Sequence, residues 1–268
     1  MKDSALGKVV IITGASSGIG AAVAHRLARD GMRLALAARR LDRLQKVAAE
    51  VESLGGEALV VQTDVCDCQA FYCVVQAALE KWGRIDVLFN NAGVNPDNNT
   101  SLTSLDSEEI RKEIATNLTA VIECAQAVLT VMLRQKAGHI INVASAAGLI
   151  ATSRGSIYCA TKFGVNGFSD ALRRELRGTG IHISVICPGF TPSEITPGLK
   201  AVAEGSPDAP NYFGLMPVAY VADQVARLIY HPRRRVVIPH SMKFLVPIAN
   251  LFPGIADVLL PGFLPKGE

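Results

Sequence analysis

Short apolar runs alternate along the chain with longer stretches in which apolar residues recur at helical spacing. The short runs are rich in β-branched residues, and an unbroken run of that kind is typical of a strand buried on both faces of a sheet. Strands are predicted at 9–12, 33–38, 58–62, 85–89, 139–143, 181–186 and 236–238, and helices at 18–30, 41–54, 67–82, 105–136, 156–178 and 219–230. This alternation predicts an α/β fold, a doubly wound parallel sheet of seven strands with helices on both faces.

The length of the chain sets the number of domains. With 268 residues, 49% of them hydrophobic, the chain can bury the core of one α/β domain. We expect this domain to span residues 1–240, and residues 241–268 to be an apolar extension of it. The segment 189–217 is rich in Pro, Gly, Ser and Thr and follows the sixth strand, at the edge where open α/β sheets place their ligand crevice. We therefore predict that it forms a mobile lid.

Charge and cysteine content argue against several classes of protein. The net charge of +3 is mild, and the basic residues are scattered apart from 233–235, so nucleic acid is not expected as a partner. The six cysteines form no C-x-x-C pair and no disulfide-scaffold pattern, which favours a reducing, cytoplasmic compartment. The N-terminus leads directly into the first strand, so we expect no secretion signal. The histidines are dispersed, and no metal site is expected.

Tyr158 and Lys162 are the most informative polar pair. They stand four residues apart on one predicted helix, so both side chains project from the same face. A phenol alone is a poor proton donor or acceptor at neutral pH, whereas an ammonium held beside it favours the phenolate electrostatically. Tyr158 is therefore predicted to carry a proton, and Lys162 to adjust the acidity of its hydroxyl. Ser145 lies upstream, and the three side chains are expected to meet at a single oxygen atom.

A glycine-rich turn follows the first strand and leads directly into a helix. It reads Thr13-Gly14-Ala15-Ser16-Ser17-Gly18-Ile19-Gly20. Glycines allow positive φ and let the backbone approach a pyrophosphate, while the amides and the helix N-terminus attract the anion. Alone, such a turn is weak evidence, since a tight strand-to-helix connection has the same pattern.

Several motifs occur here in the order found in one enzyme family. The chain shows T-G-x-x-x-G-x-G at 13–20, Asn90-Asn91-Ala92-Gly93, Asn117, Ser145, Tyr158-x-x-x-Lys162 and Pro188-Gly189. Over about residues 7–240 it thereby resembles the short-chain dehydrogenase/reductase family, in its compact single-domain type. The resemblance implies a Rossmann-type fold, hydride transfer with a nicotinamide dinucleotide, and a small-molecule carbonyl or alcohol substrate.

The resemblance also implies residue roles. Tyr158 gives the substrate oxygen its proton, and Ser145 donates a hydrogen bond to that oxygen. Lys162 also holds the nicotinamide ribose, and Asn117 anchors a water that replaces the proton. Asp64 and Val65 meet the adenine, and Asp64 could cap the following helix instead of, or in addition to, that contact. The cofactor-binding residues implied are Gly14, Ser16, Ser17, Gly18, Ile19, Gly20, Asp64, Val65, Asn91, Ala92, Gly93, Tyr158, Lys162, Pro188, Gly189, Thr191 and Ser193.

The end of the second strand indicates which cofactor is used. An NAD-selective site needs an acidic residue there for the ribose 2′-hydroxyl, but Ala38 stands at that position. Arg39 can form a bidentate contact with a phosphate, and Ser16 or Ser17 can add a hydroxyl. Arg40 either shares the phosphate or is solvated. NADP(H) is therefore predicted.

The substrate and the assembly are less constrained. An apolar or acyl-type carbonyl is expected, and a 3-oxoacyl thioester and a lipid or steroid ketone both remain open. A catalytically silent NADPH-binding regulator is the remote alternative. A homodimer or homotetramer through 105–136 and 156–178 is expected. The apolar tail, 241–268, packs on its own domain, on a sister subunit, or peripherally on a membrane with help from the basic residues at 233–235.

Overall fold

The computed structural model describes residues 6–96, 100–153, 155–195, 215–254 and 257. Its centre is one parallel sheet in the order β3-β2-β1-β4-β5-β6-β7. The strands are β1 Val9–Thr13, β2 Arg33–Ala38, β3 Glu57–Gln62, β4 Val87–Asn90, β5 Gly138–Val143, β6 Ile181–Pro188 and β7 Arg235–Ile238. All seven predicted strands are thus confirmed, with small differences at their ends. The order reverses between β1 and β4, and a crevice is expected at the carboxyl ends of these two strands.

Helices cover both faces of the sheet. They are α1 Gly18–Ala28, α2 Leu41–Ser53, α3 Cys68–Trp82, α4 Ser107–Ile114, α5 Ala120–Gln135, α6 Ser156–Glu175, α7 Val218–Tyr230 and α8 Met242–Leu251. One buried cluster packs α1, α2 and α7 against one face, and another packs α3, α5 and α6 against the other. The doubly wound, Rossmann-type architecture predicted from the alternation of strand and helix is therefore confirmed.

The cap of α3 differs from the one considered for Asp64. Asp67 caps this helix, because its Oδ1 accepts hydrogen bonds from the amides of Gln69 at 3.0 Å and Ala70 at 3.1 Å. Asp64 instead accepts a 3.0 Å bond from the Cys66 amide, inside the turn before the helix. An Asp at the position directly before the first helical residue makes the better cap. Asp64 is thereby left at the end of β3, facing the crevice.

The helix predicted over 105–136 is interrupted. Between α4 and α5, residues Ala115–Thr119 form a π-helical turn, which contains Asn117. A capping box starts α4, in which Asp106 Oδ1 accepts from the Glu109 amide at 2.7 Å and Glu109 Oε2 accepts from the Asp106 amide at 3.3 Å. A π turn inserts a residue into the helical ladder and is found frequently at functional sites.

Two apolar segments are candidates for contact with a membrane. Among the described residues, Ser107–Gln135 alone is long and apolar enough to cross a bilayer, but half of its apolar window is buried, as in the core helix of a folded domain. The short helix α8 packs Met242 and Val246 against the domain and exposes other apolar side chains, with Phe244 78% and Leu251 72% accessible. Residues 196–214 of the predicted lid, and most of the tail beyond Gly254, lie outside the described residues.

Candidate active site

The glycine turn after β1 forms a tight backbone cradle. Gly14 has φ +65°, and a Cβ there would lie 2.9 Å from the Cα of Ala92. A Cβ on Gly20 would lie 2.2 Å from the carbonyl oxygen of Gly14. Neither position can hold a side chain without moving backbone, so the turn and the helix N-terminus stay exposed to an anion. Gly18, with φ +54°, completes the turn.

The loop after β4 is fastened to this turn. Asn91 Nδ2 donates to the carbonyl of Thr13 at 3.0 Å, and Thr13 Oγ1 accepts from the amides of Asn91 at 2.9 Å and Ala92 at 3.0 Å. Asn90 stabilises the centre of the sheet, since its Nδ2 donates to the carbonyl of Val121 at 2.9 Å. The loops after β1 and β4, on either side of the reversal in strand order, therefore form one rigid floor.

A groove of about 720 Å³ lies above that floor. This volume is within the range of small-molecule and cofactor sites. Of the residues predicted to bind the cofactor, those that line the groove are Gly14, Ser16, Ser17, Gly18, Ile19, Arg39, Arg40, Asp64, Val65, Asn91, Ala92, Gly93 and Ser193. The structure thus brings together most of the predicted dinucleotide site. The exposed glycine turn at the start of α1 suits the pyrophosphate of a dinucleotide.

Some predicted residues lie beside the groove rather than on its surface. Gly20 is behind the turn, packed against Gly14. Gly189 donates its amide to the carbonyl of Ile238 at 2.7 Å, which joins the end of β6, at Pro188, to β7. Thr191 is buried, with 6% of its surface accessible. These residues support the site's walls, and the structure does not place them on the groove surface.

Tyr158 and Lys162 meet as predicted. Lys162 Nζ lies 5.5 Å from the centroid of the Tyr158 ring, a cation–π distance, and donates to the carbonyl of Val143 at 3.1 Å. That carbonyl belongs to the last residue of β5, two residues before Ser145. Ser145 is half-buried, and its Oγ accepts from the Ala147 amide at 3.1 Å. Lys162 therefore connects Tyr158, on the first turn of α6, to the end of β5.

Asn117 joins this group to the groove. Its Oδ1 accepts from the Val94 amide at 2.9 Å, and its Nδ2 donates to the Val94 carbonyl at 2.7 Å. Gly93, on the groove surface, is the point of contact, because a Cβ there would lie 3.2 Å from Asn117 Oδ1 and 3.8 Å from Lys162 Nζ. Asn117 and Lys162 thus adjoin one end of the groove at Gly93, although none of the four predicted catalytic residues lines its described surface.

Burial controls the charge on Lys162. Only 4% of the residue is accessible, and this desolvation lowers the pKa of its ammonium from 10.5 to about 8. The carboxylate of Glu113 opposes the shift and raises the pKa. Glu113 is fully buried one helical turn before Asn117, whose Nδ2 donates to Glu113 Oε1 at 3.3 Å. At neutral pH most molecules therefore carry the positive charge beside Tyr158.

The other end of the groove is basic. Arg40 Nη2 donates to Ser17 Oγ at 2.9 Å and to Ser16 Oγ at 3.1 Å. Arg39 instead faces Asp64, with its Nη1 4.0 Å from Asp64 Oδ2. Ala38 lines the groove at the position where an NAD-selective site carries an acid. Arg40, rather than Arg39, is therefore the arginine that the structure joins to the two serines.

Glu194 also reaches this basic end. Its Oε2 lies 2.7 Å from Arg40 Nη2 and accepts a 3.0 Å hydrogen bond from Ser17 Oγ, while its Oε1 contacts Arg43 Nη1. The bond from Arg40 is the main reason that the pKa of Glu194 is lowered to about 2. This carboxylate is consequently ionised throughout the neutral range.

Sequence reasoning did not single out Arg43, Glu194 or Glu113 as site residues. Arg43 follows Arg40 by three positions at the start of a helix, a spacing that places both on one face. Glu113 stands four residues before Asn117, and a charge on the inner face of an apolar helix was the available signal. No comparable pattern in the sequence indicates the contact of Glu194 with Arg43, because the two residues are more than 150 positions apart.

Comparison with known proteins agrees with this geometry. A 3-oxoacyl-[acyl-carrier-protein] reductase of Synechocystis is 38% identical over 72% of this chain and 78% of its own. A short-chain dehydrogenase/reductase of Burkholderia phymatum, solved with NAD, superposes with a TM-score of 0.82 at 27% identity, covering 93% of this chain and 95% of its own. Actinorhodin polyketide ketoreductase, solved with NADPH, superposes with a TM-score of 0.77 at 30% identity, covering 89% and 97%. The short chain dehydrogenase family model matches residues 8–203. The chain therefore belongs to the short-chain dehydrogenase family of oxidoreductases.

Proposed function

We propose that the protein is an NADP(H)-dependent oxidoreductase that interconverts a carbonyl and a secondary alcohol, with Tyr158 as its general acid and base. The observation that carries this proposal is the position of Lys162 Nζ, 5.5 Å from the ring of Tyr158 and beside the groove floor at Gly93. A titratable pair in such a place is typical of a catalytic site. The coarser conclusion, an oxidoreductase of this family, does not depend on the proposal.

The chemistry of the residues follows from their contacts. The nicotinamide, when bound, supplies the hydride to the carbonyl carbon in reduction and accepts it in oxidation. As the carbonyl oxygen gains negative charge, Tyr158 donates its hydroxyl proton to it, and in oxidation the phenolate takes that proton back. Ser145 can accept from the Ala147 amide and still donate its own hydroxyl hydrogen to the same oxygen. Lys162 stabilises the phenolate that is left.

Asn117 is proposed to help return a proton to Tyr158. Its amide holds the loop at Val94 in place and reaches Glu113 on the preceding turn. The side chain is fully buried, so any proton path past it is shielded from bulk solvent. The family resemblance implies a water anchored at Asn117 that replaces the proton.

The cofactor proposal depends on the basic end of the groove. Arg40 and the hydroxyls of Ser16 and Ser17 form a set of donors suited to a phosphate, and β2 ends in Ala38 without a carboxylate. Among the similar structures, one holds NAD and another NADPH, so the relatives alone do not decide the choice. The residues of this chain favour the 2′-phosphate, with Arg39 as a second cation beside Asp64.

Arg40→Ala is expected to raise the Kd for NADPH by about 10- to 100-fold, the effect of losing a charge-assisted hydrogen bond to phosphate. The Kd for NADH should change little, since NADH has no 2′-phosphate. Arg39→Ala should have a smaller effect on NADPH, because Arg39 is 61% exposed and directed toward Asp64. Fluorescence titration of each variant with both cofactors measures these differences. An equal loss of both cofactors, or a wild-type preference for NADH, would contradict the assignment.

The substrate is proposed to be an apolar or acyl-type carbonyl compound. A relative is a 3-oxoacyl-[acyl-carrier-protein] reductase and a structural neighbour is a polyketide ketoreductase, which supports the 3-oxoacyl thioester reading. The exposed apolar residues of α8 support a lipid or steroid ketone equally well. A panel of 3-oxoacyl thioesters and free ketones graded by chain length, followed by NADPH absorbance, separates the two readings. Absence of turnover on every carbonyl, with NADPH still bound, would favour the silent regulatory protein instead.

The assembly is proposed to be a homodimer or homotetramer in the cytoplasm. Large apolar side chains are exposed on the helices expected at the interface, including Ile122 at 38%, Leu133 at 46% and Phe163 at 42%. The six cysteines are free, which agrees with a reducing compartment. The exposed face of α8 is proposed to cover part of a sister subunit or to contact a membrane peripherally.

Truncation after Ile238 tests the role proposed for the tail. Because this removes the exposed side chains of α8, we expect a change in oligomer mass, measured by light scattering, or loss of binding to lipid vesicles, measured by flotation. Turnover of long-chain carbonyls should fall as well if the tail walls the site. If the truncated protein kept the oligomer mass, vesicle binding and chain-length preference of the wild type, an interface role for the tail would be refuted.

A further inference from the structure

Glu194 places a negative charge on the donors assigned above to a phosphate. Ser17 and Arg40 donate to it, and Arg43 adds a second guanidinium from the first turn of α2. The segment carrying Glu194 lies directly over the glycine turn, since a Cβ on Gly18 would be 3.5 Å from the Cβ of Ser193. The carboxylate and a ligand phosphate would therefore compete for the same guanidinium hydrogens.

We propose that Glu194 is an internal competitor for the 2′-phosphate of NADP(H), and so a residue that limits how strongly the protein selects NADP(H) over NAD(H). This inference rests on the proposed function, because it assumes that the basic end of the groove receives that phosphate. Binding of the phosphate to Arg40 requires Glu194 to leave. Binding of NAD(H), which has a hydroxyl at that position, does not require it.

The strength of this competition follows from exposure. The side chains of Arg40 and Glu194 are each 40% accessible, and that of Arg43 is 43% accessible. Exposed ion pairs are weak and screened by salt, so a phosphate with up to two negative charges can displace the carboxylate. Glu194 is therefore expected to weaken the binding of a 2′-phosphate without preventing it.

The test uses adenine nucleotide fragments, so that it does not depend on turnover. Glu194→Gln keeps the size of the side chain and removes its charge. We expect this variant to bind 2′,5′-ADP about three- to tenfold more tightly than the wild type, as measured by calorimetry, and to bind 5′-AMP unchanged. Glu109→Gln is the matched control. Glu109 lines the same groove and is not among the contacts of Arg40 or Arg43, and glutamine preserves its capping box.

The outcomes separate this inference from the cofactor proposal. If Glu194→Gln and Glu109→Gln gained the same affinity for 2′,5′-ADP, only the overall electrostatic potential of the groove would have changed. That result would overturn the inference. An unchanged ratio of 2′,5′-ADP to 5′-AMP affinity in Glu194→Gln would also overturn it. If the wild type has no preference for 2′,5′-ADP but Glu194→Gln acquires one, the competition stands and the proposed preference of the wild type for NADP(H) fails. Thermal unfolding of each variant confirms that it is folded.

Discussion

Tyr158→Phe is expected to lower kcat for carbonyl reduction by at least about a hundredfold, since a positioned general acid contributes about 10²- to 10⁴-fold. The substitution removes one oxygen atom and leaves the ring beside Lys162 Nζ. The Kd for NADPH should therefore stay close to that of the wild type. Single-turnover kinetics followed by cofactor absorbance, together with fluorescence titration of NADPH, measure the two quantities separately.

Tyr72→Phe provides the matched control for this experiment. Tyr72 lies on α3, is 40% exposed and does not line the groove, so its loss should leave kcat unaffected. If Tyr158→Phe kept wild-type turnover, the proton would have to come from another group and the mechanism proposed here would be wrong. If both turnover and NADPH affinity were lost, the hydroxyl would have a structural role in the groove instead.

Lys162→Met is expected to reduce turnover to a similar extent and also to change how stability depends on pH. Burial lowers the pKa of Lys162 to about 8 in the folded protein, against 10.5 ordinarily. Between these two values the unfolded chain holds a proton that the folded protein has released. The free energy of unfolding therefore rises with pH in this window, by up to about 1.4 kcal/mol per pH unit, and this rise is absent from the variant.

Urea unfolding of the wild type and of Lys162→Met, compared between about pH 7.5 and 9.5, measures this difference. Other groups that titrate in the window and do not contact Lys162 contribute equally to both proteins and cancel. Lys46→Met, a change at an exposed lysine on α2, is the control and should retain the pH dependence of the wild type. Parallel curves for the wild type and Lys162→Met would show that burial does not lower the pKa of Lys162 in the folded protein, and unchanged turnover in the variant would contradict its proposed role.

The sheet could be predicted from sequence because buried parallel strands produce unbroken apolar runs. β1, for example, is a five-residue strand with every residue buried. The meeting of Tyr158 with Lys162 could also be predicted, since both lie on one helix and local geometry fixes their relative position. Where hydrophobic periodicity or spacing within one element decides the structure, the sequence was sufficient.

Features that depend on contacts between distant segments were not predictable. The choice of Arg40 rather than Arg39 as the partner of the serines depends on how the chain turns between β2 and α2. The contact of Glu194 with Arg43 depends on the path of the segment after β6. The capping of α3 by Asp67 instead of Asp64 is a local feature, and it depends on the exact residue at which the helix begins, Cys68. Each of these features governs the site's charge rather than its overall fold.

The π-helical turn at Ala115–Thr119 makes the chain sensitive to its own length at that point. Deleting a single residue there would restore regular α-helical hydrogen bonding but would rotate α4 by about 100° relative to α5, because each residue of an α-helix turns it by that angle. Glu113 would then leave the side of the helix that faces Asn117 and Lys162. The extra residue therefore sets the rotation of α4 relative to α5. Shortening a loop elsewhere in the chain could not compensate for its loss.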